Sequence, residues 1–591
     1  MSYRDNIFGQ LFDPETRLAM HQAGLTGVRH LNQRFPLDVE PHQPVEVLVT
    51  TSGPRPFDQV TCWFQPEGET ELALELSQGK VTWDNALGDY LRTWQGNLPP
   101  QPSGTMVQYR LAAHVTGSNE WIYADNQSAS ADECTRFAYW VADDLVPAWT
   151  REAVVYHVFV DRFYPGEGVS WKNPETLAGF YGGTLRGIIQ KLDYIQQMGF
   201  TAVWLSPIFP NLTHHGYDAT DYFGIEPRFG TMEDFRELLT DAHARGIRVI
   251  LDFVANHCSD QHPAFQSAKT DPNSPTRDWF TWQHWPEDYA CYFGVRELPE
   301  LNLKPGPARN YLLKSAQFWL EMGVDGFRLD YAYGPSHDFW ADFRRTCRQA
   351  KPDCWTFGEI IHTPEVQLSY AGTMDGTLDF LLCRAVRETF AHGNWPLSRF
   401  ESFLNEHDAF FPAGFSRPAF LDNHDMNRFL FISNGDTAKV KLAALALFTL
   451  SGPQIVYNGT ETGVSQERPI HQNDFGIFEE ARLPMKWGDD QDTDLREYFR
   501  RIIQLRHENH LLLDSPRRLL HIGDQVLAYS RESRSTRIVV AFNLSDQPQT
   551  ISVPLTKHMV DVLNNCKVSA DGNNFLINLP PQTGAFLTDL S

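Results

Sequence analysis

From about Val146 to Glu508 the chain alternates between short, continuously apolar runs and segments with helical periodicity, and this alternation restricts the fold more than any other feature. The runs are AVVYHVFV, TAVWLS, IRVILDF, DGFRLD, CWTFGE, GTLDFLL, PAFLDN and PQIVYNG. A strand with one wet face alternates apolar and polar residues. Runs that are apolar throughout belong to strands covered on both sides, as in a parallel sheet. Between them TLRGIIQKLDYIQQMG, TMEDFRELLTDAHARG, ARNYLLKSAQFWLEMG, SHDFWADFRRTCRQA, AKVKLAALALFTL and DLREYFRRIIQLRHE carry helical spacing, the second closing on Gly246. Eight such strands, mostly followed by helices, predict a (β/α)8 barrel. A doubly wound open sheet shares the alternation but normally has fewer units and a Gly-rich phosphate turn, which this stretch lacks.

The flanks have a different texture. After a mixed, helix-like arm of about forty residues, VEVLVTT, QVTCWFQ, TELALEL, VQYRLAAHV, EWIYAD and RFAYWV are short alternating runs broken by Gly, Pro and Asn, the pattern of an antiparallel β-sandwich. QVLAYSRES, RIVVAFNLSD, TISVPL and FLINLPPQTGAFLTDL repeat that pattern at the far end. The expected organisation is a multidomain chain: an N-terminal sandwich with its helical arm (1–147), a catalytic TIM barrel (148–510) and a C-terminal β-sandwich (511–591). Within the barrel, residues 258–307 after the third strand are rich in Pro, Trp, Asp and His, and a loop that long in a compact domain is functional or a small subdomain.

Charge and cysteine content exclude several functions. Fifty basic against 74 acidic residues give a net charge of −24, which argues against nucleic acid or an anionic membrane as partner, since both require basic patches. The eight cysteines contain no CxxC pair and read as buried thiols rather than a disulfide framework or a zinc site. The apolar run LAALALFTL is too short to span a bilayer, and MSYRDNIFGQLFDPETR has no apolar leader core, so the expected location is cytoplasmic.

In a barrel the chemistry sits at the C-terminal ends of the strands. There the third strand delivers Asp252, Asn256 and His257, the fourth Arg328 and Asp330, the fifth Glu359, and the seventh His424 and Asp425. Arg328 and Asp330 are two apart and share a strand face. Taken alone they are either a structural ion pair or a nucleophile that the arginine holds ionised with a depressed pKa. Carboxylates from four strands on one rim repel each other and have no structural rationale as a set. Two carboxyls of unlike pKa are what glycoside cleavage requires, and Glu359, crowded by the others, is the one expected to be raised and to start as the acid.

DFVANH, GFRLD, GEI and DNHD, in that order, resemble the conserved regions of the α-amylase family, glycoside hydrolase family 13. GFTAVWLSPIF, HHGYDATDY and GPQIVYNGTETG add to the resemblance, which extends from about Val146 to Ser591. The N-terminal sandwich, AWTREAVVYHVFVDRF, FYGGTLRGI and LPELN resemble the cyclomaltodextrinase, neopullulanase and maltogenic amylase group, with an acidic third residue in the last motif where that group has a basic one. The resemblance implies a retaining hydrolase of α-1,4-glucosidic bonds in cyclodextrins, maltodextrins, pullulan or starch. Asp330 is then the nucleophile, Glu359 the general acid and base, and Asp425 the carboxylate that binds sugar hydroxyls and stabilises the transition state. His257, His424 and His215 hydrogen-bond the sugar, Tyr217 stacks under it, and Arg328 orients Asp330. A retaining mechanism implies that the Asp330 and Glu359 carboxyls lie roughly 5–5.5 Å apart.

The chain departs from its relatives in places. Ile361 stands where many of them have a tryptophan on the acceptor side, and YAYGPSHDFW follows the nucleophile in place of Val-Ala-Asn-Glu. A calcium site near the first strand is implied by the family, but Pro165 and Thr184 replace its usual ligands, so no cofactor is expected to be required, with Asn256 the remaining candidate ligand. A homodimer is implied by the resemblance alone. Two alternatives stay open: an α-glucan transglycosylase or isomerase on the same scaffold, and a non-catalytic glucan-binding protein.

Overall fold

The computed structural model describes residues 7–589 apart from 10, 144–145, 473–474, 511–514, 534–535, 555–557 and 573. Its centre is a single sheet of eight parallel strands. They are β1 (Val154–Val158), β2 (Ala202–Leu205), β3 (Arg248–Phe253), β4 (Gly326–Leu329), β5 (Trp355–Gly358), β6 (Gly376–Thr377), β7 (Ala419–Phe420) and β8 (Gln454–Tyr457), with neighbours in sequence paired in space and β8 returning to β1. Between β6 and β7 a parallel bridge from Gly376 to Ser416 closes the cylinder, with Thr377 N–H donating to Ser416 O at 3.0 Å and Asp379 N–H to Pro418 O at 2.9 Å.

The apolar runs behave as a strand covered on both faces must. Val154, Tyr156 and Val158 belong to the core between sheet and helices, whereas Val155 joins Ala202, Trp204, Ile250, Trp355 and Phe357 in the barrel interior. In β4, Phe327 and Leu329 pack outward with Trp319 and Phe343, which leaves Gly326 and Arg328 facing inward. Gly326 lets β5 approach: a Cβ there would stand 2.3 Å from the Trp355 carbonyl oxygen. The helices cover the outer face with ordinary capping chemistry. Thr231 and Asp234 form a reciprocal capping box on helix Met232–Ala244. One run reads differently from its expectation. Only Gly376–Thr377 of GTLDFLL is strand, because the Asp379 carboxylate accepts from Leu382 N–H at 2.9 Å and starts helix Phe380–Val386.

The insertion after β3 is a compact aromatic subdomain. Helix Pro263–Thr270 packs Phe265 against Phe280, Trp282 and Tyr289, the last two on facing strands of a small hairpin. Bridges from His257 to Glu300 and from Phe280 to Leu301 tie its return path to its start.

Two antiparallel sheets precede the barrel, after helix Pro14–Leu25, which buries no residue. Val45–Thr51 alternates buried and half-buried residues, and Val45, Val47 and Val49 share one core with Val60, Cys62 and Leu111 of the other sheet. After the barrel, the sheet containing Val526–Glu532, Arg537–Asn543 and Thr583–Asp589 has two dry faces. Val539 and Ala541 pack on the last small sheet, while Ile538, Val540 and Phe542 pack on the barrel. The expected junction at 510/511 borders residues 511–514, which lie outside the described residues.

Replacing Gly326 with alanine forces β4 and β5 apart, since the clash is with backbone. We expect a loss of about 1–3 kcal/mol, measured as a lowered urea midpoint by tryptophan fluorescence; an unchanged midpoint contradicts this packing.

Candidate active site

At the C-terminal end of the barrel a single guanidinium holds three carboxyl groups. Arg328 Nη1 donates to Asp252 Oδ1 and Oδ2 at 2.8 and 3.0 Å and to Asp330 Oδ1 at 2.9 Å, and Nη2 lies 2.8 Å from Glu359 Oε1. These residues come from β3, from β4 and its end, and from the end of β5, so strand register sets the arrangement: Asp252 pairs with Arg328, and Glu359 N–H donates to Leu329 O at 2.9 Å. Arg328 is wholly buried and Asp330 is 7% exposed.

The fourth carboxyl has its own partners. Asp425 Oδ1 lies 2.6 Å from Arg482 Nη2 and Oδ2 lies 2.9 Å from His424 Nε2. Arg482 Nε also donates to His424 O at 2.9 Å. Tyr217 ties the two halves together. Its hydroxyl donates to Asp252 Oδ2 at 3.1 Å and sits 2.5 Å from His424 Nε2, with the two rings nearly parallel. His257 Nε2 donates to Tyr217 O at 3.1 Å, and His215 Nδ1 accepts from Tyr217 N–H at 3.1 Å. All eight residues expected to form the site therefore belong to one connected set. Asn256 contacts His257 Nδ1 at 3.5 Å and fills the space beside Gly334.

Charge is distributed differently from the expectation for Asp330. Burial pushes its carboxyl up to about 7, and Asp252 and Asp425 add to that against the pull of Arg328. The expected depression fails because Arg328 is shared: one positive charge cannot hold Asp252, Asp330 and Glu359 all ionised in a dry site. Burial raises Glu359 to about 7 as well, opposed by Arg328 and reinforced by Asp330 and Asp425, in the direction an acid requires. Both carboxyls therefore keep their protons to higher pH than free carboxylates do. Despite its burial, Asp425 is held well below the usual carboxylate range by His424 and Arg482. Burial lowers His257 and His424 to about 4 and His215 to about 3, so all three are neutral imidazoles at pH 7.

Three parts of the site escape motif reasoning. Arg482 stands in EARLPMKW, beyond the last strand, with no neighbour in sequence to mark it. Trp204 lies under the site, its indole N–H donating to Asp252 Oδ2 at 3.1 Å. The third part is an aromatic wall. Tyr331, directly after Asp330, adopts φ 38°, a left-handed conformation that a bulky residue takes only when its surroundings impose it. That turn aims its N–H at Glu359 Oε2 (3.2 Å) and sets its ring against Tyr292 and Phe293 of the insertion. Tyr292 in turn stacks on His257, with centroids 4.5 Å apart.

The ligand set near β1 does not fit a calcium ion. Asp161 accepts backbone N–H bonds from Tyr181 and Gly182, both at 3.0 Å, and pairs with Arg162 at 3.2 Å, while Thr184 caps a helix by accepting from Gly187 N–H. A cation there would face a buried guanidinium. Among the described residues no group of three or more His, Cys, Asp or Glu is placed to hold a metal.

Comparison with known proteins identifies the family. Residues 157–510 match the family described as Alpha amylase, catalytic domain, and residues 517–584 match Maltogenic Amylase, C-terminal domain. Alpha-amylase 2 of Dictyoglomus thermophilum is 33% identical over 94% of both chains. Neopullulanase 2 of Thermoactinomyces vulgaris is 32% identical over 75% of this chain and 78% of its own. A solved cyclomaltodextrinase superposes with a TM-score of 0.70 at 25% identity, covering 95% of this chain and 99% of the other.

Asp330 and Glu359 bind protons more tightly folded than unfolded, so stability falls as pH rises from the unfolded carboxylate range through about 7. Asp330→Asn removes one of the repelling charges. It is expected to raise the thermal midpoint by about 2 °C at pH 8 and to change it little at pH 5, where the native carboxyl already holds its proton. Scanning calorimetry at both pH values checks this, and an equal effect at the two would refute the raised Asp330 carboxyl.

Proposed function

This chain belongs to the α-amylase family of glycoside hydrolases, and from that premise we propose that it cleaves α-1,4-glucosidic bonds in cyclodextrins and maltodextrins, with pullulan and starch as further candidate substrates. It is an α-glucan hydrolase of the retaining class. The observation that carries the assignment of residues is the placement of Asp330 and Glu359 at the two terminal nitrogens of one guanidinium. That contact keeps two carboxyls close together on one rim, as direct attack by a side chain requires.

In the proposed mechanism Glu359 gives its proton to the glycosidic oxygen as the bond to C1 breaks, and Asp330 attacks C1 to form a glycosyl ester. Glu359, now a carboxylate, takes a proton from water, and the hydroxide equivalent displaces Asp330 at C1 with net retention. The raised Glu359 carboxyl supports the acid's part, because it keeps its proton well above the usual carboxylate range. Asp425, locked as an anion by Arg482 and His424, accepts sugar hydroxyls and opposes the positive charge that develops at the ring. Neutral His257, His424 and His215 supply hydrogen bonds to the same sugar, and the Tyr217 ring offers it a face.

A non-catalytic glucan-binding role conflicts with the retention of all three carboxylates in one hydrogen-bonded set. Transglycosylation uses the same ester intermediate with a sugar in place of water, and products longer than maltotriose from a maltotriose digest measure its share. A cytoplasmic location is supported by eight cysteines that are all unpaired, seven of them buried. Among the described residues no helix is long and apolar enough to cross a membrane. Dimerisation rests on resemblance, and a monomeric mass in solution rejects it.

Asp330→Asn is expected to cut turnover of maltotetraose by at least about 10³-fold while wild-type protein first releases the α-anomer by NMR; β-anomer release, or an active variant, overturns the assignment. Because Asp161 is already paired with the buried Arg162, prolonged EDTA treatment is expected to leave turnover and thermal midpoint unchanged, and a loss restored by calcium refutes that reading.

A further inference from the structure

The first described residues of the chain return to the catalytic rim. Ile7, Phe8, Leu11 and Phe12 pack into the apolar cluster built by Phe380, Phe411, Met426 and Ile470 beyond β5, β6 and β7. The segment is pinned at several points. Phe8 is 9% exposed and meets Phe12 edge to face at 4.7 Å, Leu11 N–H donates to Phe8 O at 3.0 Å, and Arg384 lies over the Phe12 ring at 4.3 Å. Ile7 is half-buried, and the surface it keeps lines a small cavity together with Glu359, Asp425, Ile361, Phe380 and Ile470.

The position of that cavity defines what meets it. Glu359 is in its wall, whereas Asp330, Tyr217 and His257 are not, so it borders the acid and not the nucleophile. In double displacement the leaving sugar departs past the acid, opposite the nucleophile. We infer that Ile7, held in place by Phe8, Leu11 and Phe12 of the same chain, forms with Ile361 the apolar wall of the subsite that receives the leaving glucose unit. This inference rests on the α-glucan reading above. The C–H face of a glucose ring is apolar, and aliphatic side chains beside a few polar groups are how such a pocket selects its occupant. Ile361 supplies little area by itself. The terminal segment adds a second aliphatic face from more than three hundred residues away in the chain, next to the acid that must protonate the bond between the two sugars.

Two substrates separate this role from a structural one. Maltotetraose must place glucose on the acceptor side. α-Maltosyl fluoride reacts at the same C1 with loss of fluoride, needing neither proton donation nor a sugar on that side. The ratio of kcat/KM on maltotetraose to that on α-maltosyl fluoride is expected to fall about tenfold in Ile7→Asp. In Ile7→Val, which keeps the aliphatic wall, it should stay within about twofold of wild type. A folding or stability defect lowers both substrates together and leaves the ratio unchanged, and that outcome, or wild-type behaviour of Ile7→Asp on both substrates, overturns the inference. Wild-type protein inactive on both substrates would instead sink the α-glucan reading, and the inference with it.

Discussion

Arg328 serves three carboxyl groups at once, and most of what is unusual about the site follows from that sharing. Each carboxyl arrives from a different strand end, so the barrel must bring β3, β4 and β5 into register for the cluster to exist. A lone pair would have left Asp330 permanently ionised. Three carboxyls against one guanidinium leave a surplus of negative charge in a dry place, and the surplus is relieved by a proton. Losing the arginine would leave three buried carboxyls without their cation, and breaking a buried pair in that way commonly costs about 3–5 kcal/mol, so Arg328 is the member the arrangement depends on. Asp425 stands outside the sharing because Arg482 pairs with it separately and His424 contacts its other oxygen, and so it stays charged.

The barrel was legible in the sequence because burial on both faces leaves a mark that needs no partner to be recognised. AVVYHVFV divides between two cores residue by residue, and RIVVAF does so again beyond the barrel. GTLDFLL was misjudged in part for the same reason: apolar continuity does not distinguish a strand from a buried helix, and the Asp379 cap decides the matter within one turn. The insertion could be located by composition but not drawn, since its shape depends on aromatic contacts among Phe265, Phe280, Trp282 and Tyr289 that have no period.

In the site, the residues that could be named in advance sit at strand ends, where topology alone determines which rim they occupy. Arg482 and Trp204 could not be assigned roles that way. One follows the last strand by many residues, and the other is an apolar-run residue whose indole N–H has a partner only once β2 and β3 lie side by side. The pKa of Asp330 was misjudged because a sequence shows which charges are present but not how many of them one counter-charge must satisfy. Neutral histidines are a second consequence of burial that no motif records: a positive imidazole beside Arg328 or Arg482 would add like charge where there is no water to screen it.

Two walls beside the catalytic carboxyls are each built from segments distant in sequence. Tyr331 at φ 38° and the insertion's Tyr292 and Phe293 make an aromatic one. On the acid's side, Ile361 and Ile7 make an aliphatic one. The strained turn at Tyr331 links wall to chemistry, since the backbone that places its ring also donates to Glu359. Changing the aromatic wall therefore perturbs the acid as well as the fit of the sugar. The aliphatic wall has no such backbone link to the acid, so substrate preference can drift there with less damage to catalysis.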